Sequence, residues 1–172
     1  MTSFTLSQIF AGTALASDLI SFQCKDRQKI IIFLFASCVL LSVHFFLLQQ
    51  VTAGTVVLLS AVRLALSYLT TSRKIMWTFL LATLIACALT YGGPLSILST
   101  TAALIQTYAS FRARDKQLRQ FMMIGSTLWM IHNVLVWTPV AILNQILFIS
   151  SNIVGYYRFH VKAQQDLPSE KG

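Results

Sequence analysis

The sequence predicts an all-α fold: a polytopic membrane protein of seven transmembrane helices, arranged as two parallel three-helix repeats joined by a linker helix. Three observations predict it. The 172 residues are 56% hydrophobic and 10% charged, with mean hydropathy +0.70, far from the roughly 25% charged residues of a soluble domain. Lys and Arg gather at 25–29, 73–74, 112–119 and 158–171, after every second apolar run, so that one membrane face collects them all. Residues 21–29 recur at 110–118, an offset of 89.

An apolar stretch of about 20 residues crosses a hydrocarbon core of roughly 30 Å, and seven runs of that order follow one another. The first, 4–22, holds Ala11, Gly12, Ala14 and Ala16, small residues that make a slim helix suited to close packing. Met1 to Ser3 carries no Lys or Arg, unlike the basic start of a cleaved signal peptide, so this run reads as a permanent helix. The second, 30–48, ends at Gln49-Gln50, and the third, 52–69, carries Arg63. The fourth, 75–91, stops at Gly92-Gly93-Pro94, a strong turn signal. The fifth is 95–111; the sixth, 118–137, and the seventh, 140–159, are parted by Thr138-Pro139. Residues 1–160 then form one transmembrane domain, and the polar stretch 161–172 is a short cytoplasmic tail.

Orientation follows from charge. Cytoplasmic loops retain Lys and Arg, and the uncharged breaks fall on the other face. An odd number of crossings therefore puts the N-terminus outside and the C-terminus in the cytoplasm. The same rule accounts for the net charge of +8 and the pI near 9.8 without a nucleic-acid partner. Cys24 falls in a basic loop, Cys38 and Cys87 fall inside apolar runs, and no CxxC or His/Cys ligand spacing occurs, so disulfide, metal and cofactor chemistry are all unsupported.

The internal repeat is carried by its polar loop. Ser21, Phe22, Asp26 and Gln28 recur as Ser110, Phe111, Asp115 and Gln117, and without a gap Ser37 falls on Ser126, Val51 on Val140, Leu58 on Leu147 and Tyr68 on Tyr157. Repeat one spans 4–70, repeat two spans 95–160, and the run 75–91 is unpaired. Three crossings reverse the direction of the chain. One extra crossing restores it, so the two copies face the same way, as in parallel-repeat transporters with sites near the midplane.

The stretch Ser126-Thr-Leu-Trp129-Met-Ile-His132-Asn133, followed by Pro139 and Asn152, resembles the second half of the SWEET and PQ-loop superfamily. Gln8, Gly12, His44-Phe-Phe-Leu-Leu, Arg63 and Trp129 to Asn133 carry a closer resemblance, over residues 5–160, to the YgjV family of bacterial inner-membrane proteins. The closer resemblance implies location and topology; the more distant one implies a three-plus-one-plus-three transporter architecture. The chain departs from the sugar-transporter pattern, which places an Asn in the third span of both halves: here Asn152 falls opposite Arg63, and no Pro-Gln dipeptide occurs.

Arg63 lies about 16 Å into its span, near the bilayer middle, where a cation costs about 2.5–3.5 kcal/mol and generally finds a partner inside the bundle. Asp18 is the acid inside the apolar runs, so one reading is a structural Asp18–Arg63 ion pair, a second an Arg63 that snorkels, and a third an Arg63 that meets a solute. Ser37 with His44, and Ser126 with Asn133, fall seven residues apart on shared helix faces. Trp129 lies beside Asn133, where an indole stacks on a small solute; packing is the other reading. Trp137 is read as an interface anchor and His44 as a hydrated residue at the outer boundary. Asn144, Ser151 and Asn152 line an interior or bond neighbouring helices.

No GxSxG, HExxH or paired intramembrane carboxylates occur, so no enzyme is expected. The leading expectation is a small-solute carrier whose pocket is lined by Arg63, Asn152, Asn133, Trp129 and Ser37, with an anionic solute if Arg63 faces it. The alternative is a non-transporting scaffold or accessory subunit of the same fold. The bilayer is the one partner the composition demands.

Overall fold

The computed structural model describes residues 2–23, 27–69, 72–112 and 114–157; Cys24 and the tail 161–172 lie outside the described residues. Among these, seven α-helices and no strands occur: α1 (Ser3–Gln23), α2 (Arg27–Leu47), α3 (Val51–Leu69), α4 (Arg73–Thr90), α5 (Pro94–Ser110), α6 (Asp115–Leu135) and α7 (Pro139–Tyr156). α2 and α6 begin about one turn before their apolar runs. Arg27, Gln28, Lys116 and Gln117 are acceptable helix formers, so the coil starts in the polar loop.

The helix breaks have local causes. Gly93 sits at φ 125°, a conformation open to glycine, and Pro94 follows as the first residue of α5, where its missing N–H costs nothing. The α2–α3 and α6–α7 turns share one design. Gln50 N donates to Phe45 O and Gln49 N to Phe46 O, while Thr138 N donates to Asn133 O and Trp137 N to Val134 O. Those are the paired bonds of a Schellman cap. Its left-handed residue is Gln49 (φ 59°) in one turn and Trp137 (φ 57°) in the other, each paying the Cβ cost that glycine avoids.

Consecutive helices pack as antiparallel neighbours, α1 on α2 on α3 and α5 on α6 on α7. The two triplets meet along two seams, α3 on α5 and α1 on α7, and α4 leans on α3 and α5. The core between them is Phe45, Ala53, Val56, Val57, Ala102, Ala103 and Trp129. Ala11 and Ala14 bury the inner face of α1, whereas Gly12 has nothing within 4 Å of where a Cβ would stand. The slimness of α1 is therefore used at the two alanines and not at Gly12.

Polarity is inverted relative to a protein in water. Leu89, Trp77, Leu135 and Trp137 stand exposed on the outside, while Ser7, Ser37, Ser99, Ser126, His44, His132, Asn133 and Thr138 are buried. Large exposed apolar area marks contact with lipid or another protein. By length and composition α4 and α7 are long and apolar enough to cross a membrane, and Ile32–Leu47 and Val51–Leu66 are shorter apolar stretches. Many serines and threonines of the bundle turn inward.

Replacing Gly93 by Ala is expected to cost about 1–3 kcal/mol, the strain of a side chain in glycine-only backbone. Replacing Gln49 by Gly is expected to gain about 0.5–1 kcal/mol, the left-handed strain less the extra flexibility of the unfolded chain. Thermal unfolding of the purified protein in detergent checks both signs.

Candidate functional site

A cavity of about 230 Å³ lies between the two triplets. α1 contributes Asp18, α2 Ser37 and Cys38, α3 Ser60 and Arg63, α5 Gln106, α6 Trp129 and Asn133, and α7 Asn144 and Gln145. Six of the seven helices thus reach it, and α4 does not.

Helical spacing explains the convergence. Ser37, Leu41 and Phe45 on α2, and Trp129 and Asn133 on α6, follow one another at four-residue steps, so each set forms one stripe along its helix. Val57, Ser60, Arg63 and Leu64 on α3, and Ala141, Asn144, Gln145 and Phe148 on α7, form like stripes at steps of three and four.

Arg63 is 5% exposed, and its Nε and Nη1 have no hydrogen-bond partner. The expected ion pair with Asp18 is not formed among the described residues. Asp18 Oδ2 instead accepts from Asn144 Nδ2 at 2.9 Å, and the Ser37 hydroxyl bonds the same carboxylate. Cys38 lines the same cavity. Two neutral donors therefore hold the carboxylate, which leaves Arg63 in the cavity wall without an acid against it.

Gln145 Oε1 is a second buried group without a partner. Gln106 Nε2 donates to Ser126 Oγ at 3.2 Å, tying α5 to α6 beside the cavity. On one side the cavity ends on an aromatic floor. Phe45 stacks on Trp129 with centroids 5.6 Å apart, and His132 stands edge-on to both rings at 5.5 Å.

Behind that floor lies a hydrogen-bonded layer that joins α1, α2 and the start of α7. His44 is fully buried, not hydrated at a boundary. Its Nδ1 donates to the carbonyl of Ser7 at 2.8 Å, and a carbonyl can only accept. Nε2 of the neutral ring then accepts from the Thr138 hydroxyl at 3.0 Å. Gln8 Nε2 donates to the same hydroxyl at 3.4 Å. A matching layer on the other seam has the Thr52 hydroxyl donating to Thr90 O at 2.6 Å and lying 2.8 Å from the Ser96 hydroxyl. Both imidazole nitrogens of His44 are thus paired, while Gln8 Oε1 is buried without a partner.

Of the residues read from the sequence, the structure brings Arg63, Asn133, Trp129, Ser37 and Asp18 to the cavity wall. Asn152 is not among them. Its Nδ2 donates back to Phe148 O of its own helix at 2.9 Å, because it stands a turn further toward the end of α7 and its amide is used by the backbone. Ser151 is exposed, and Trp137 is 76% exposed. Sequence reading passed over Gln106 and Gln145; each is a long amide inside an apolar run, and that was the available signal.

A helical bundle with polar side chains and a cavity inside and apolar side chains outside is the class that the fold and site define. Residues 5–163 match the bacterial inner membrane protein family Imp-YgjV, and the chain belongs to that family. It is similar to the inner membrane protein YgjV of Escherichia coli (strain K12), with 26% identity over 133 residues that cover 77% of this chain and 73% of that one. No solved structure matches it.

Replacing Asn144 by Leu removes a donor from a buried carboxylate and is expected to cost about 1–3 kcal/mol. Replacing Asn152 by Leu, whose amide serves only its own helix, is expected to change stability by less than about 0.5 kcal/mol. Equilibrium unfolding of the two variants in one detergent separates them.

Proposed function

We propose that the protein is a small-solute carrier of the bacterial inner membrane, and that the cavity between its two triplets is the solute site. The observation that carries this reading is Arg63: a buried cation in the cavity wall with two donors that no protein group satisfies. A charged donor left unpaired away from water costs more than the 1–3 kcal/mol or so of a neutral one, and a turn of the Arg63 side chain toward an oxyanion in the cavity relieves that cost.

The chain crosses the bilayer seven times, with its N-terminus outside and its C-terminus in the cytoplasm, as two like-facing repeats joined by α4. Four observations support this arrangement. Shifting α1, α2 and α3 by 89 residues brings them onto α5, α6 and α7 to within about one turn at every end. Burial repeats at the same offset: Ser7 and Ser96, Ala11 and Thr100, Ala14 and Ala103, Ser37 and Ser126, His44 and Asn133, Thr52 and Ala141 are all buried. The two Schellman turns fall within one residue of that offset, 88 residues apart. The seams exchange under the shift as well, since α1 on α7 becomes α5 on α3.

In this arrangement the cavity reaches from Phe45 and Trp129 to Ser110 and Met122, toward the basic face. The His44–Thr138–Ser7 layer seals the opposite end. Transport requires that layer to open as the cytoplasmic side closes, by rocking of the triplets about seams whose hydrogen bonds are worth only about 0.6 kcal/mol each.

A thermal-shift screen of small metabolites on the purified protein tests the reading, because a ligand of the folded state raises apparent stability by mass action. The expected result is stabilisation by solutes bearing an oxyanion, lost in Arg63→Ala and reduced in Arg63→Lys, with both variants folded by circular dichroism. A broad library without a single stabilising solute, with Arg63→Ala as stable as the parent, would favour a non-transporting scaffold.

A further inference from the structure

The charges of the cavity wall say more than that an anion is welcome. Among the described lining residues Arg63 is the cation and Asp18 the carboxylate, and they do not neutralise each other by direct contact. A simple monoanion would satisfy Arg63 and then face the charge of Asp18 in surroundings of low dielectric, where like charges repel strongly. A simple cation would meet the converse difficulty. A solute that carries both charges meets neither.

Resting on the carrier reading, we propose that the cavity binds a small zwitterion of the α-amino-acid type, its carboxylate on Arg63 and its ammonium on Asp18. The geometry supplies acceptors for the ammonium as well as donors for the carboxylate. A carboxylate has about four lone-pair sites, and Asn144 and Ser37 occupy two of those on Asp18. Gln145 lines the same wall, and its Oε1, buried and without a protein partner, becomes a further acceptor when the side chain turns toward the cavity. An ammonium carries three donors, so Asp18 and Gln145 together suit it, while Arg63 in the same wall, whose buried Nε and Nη1 have no protein partner, turns to meet the other end.

Size and shape agree. The 230 Å³ cavity is the volume of about eight waters, that of a compact metabolite. Phe45, Trp129 and Val57 give the wall an apolar side for an aliphatic side chain. Most pockets pair a few placed polar groups with such a surface.

The test uses matched probes on the purified full chain: L-valine with isovalerate and isobutylamine, and L-alanine with propionate and ethylamine. Each set keeps the side chain and removes one charge at a time. The expected result is that the amino acid stabilises the protein and that removing either charged group weakens apparent binding by about tenfold or more. Asp18→Asn, which keeps the volume and an acceptor for Asn144, is expected to lose the amino-acid shift, as is Arg63→Lys in part. A shift from isovalerate or propionate equal to that from the amino acid, and retained in Asp18→Asn, overturns the zwitterion while leaving an anion carrier standing. No shift from any amino acid at millimolar concentration also overturns it, and the metabolite screen then decides the carrier reading by itself.

Discussion

The structure is organised by a constraint on where polar side chains can stand. With apolar residues such as Leu89, Trp77 and Trp137 presented outward, a hydroxyl, imidazole, amide or guanidinium has to turn inward and find its partners there. Those partners then determine how the helices meet. The α1–α7 seam is pinned by Gln8 on Thr138 at one end, where His44 of α2 joins, and by Asn144 on Asp18 deeper in. On the α3–α5 seam Thr52 meets Ser96. The interior of the bundle is for this reason a set of short hydrogen-bonded ties around a space that they leave unfilled.

That space and its closed end form one arrangement. Phe45 and Trp129 are at once part of the apolar core and the floor of the cavity, and His44, next to Phe45 in sequence, belongs to the layer behind it. A shift of α2 against α7 that broke the His44–Thr138 bond would therefore move the floor as well. α4 lines no part of the cavity and packs on α3 and α5, in keeping with the proposed connector between like-facing triplets.

Much of this is legible in the amino-acid sequence because an apolar background makes each polar residue conspicuous. Seven runs parted by Gln49-Gln50, Gly92-Gly93-Pro94 and Thr138-Pro139 mark the helices, and Arg63, Ser37, Trp129 and Asn133 stand out within them. What hydropathy does not carry is rotation of a helix about its axis and the identity of a partner. Asn152 and Asn144 are similar amides on one helix, yet one bonds its own backbone and the other reaches Asp18. Asp18 and Arg63 invite pairing by charge, but Ser37 and Asn144 reach the carboxylate first. His44 reads as a boundary residue from its place near the end of α2, and only the arrival of Ser7 and Thr138 from other helices buries it. The family carries the inner-membrane assignment; packing carries the pocket.

The proposed alternation of compartments along the chain underlies every step from charge to cavity, and reporter fusions along the chain measure it most directly. Reporters placed after Gln50, Gly92 and Thr138 should be active outside the cytoplasm, and those after Thr71, Ala113 and Gly172 within it. If the reporters at Gln50 and Thr71 fell in the same compartment, or if the two chain termini did, the like-facing triplets would be contradicted, and with them the cavity as a route across the membrane.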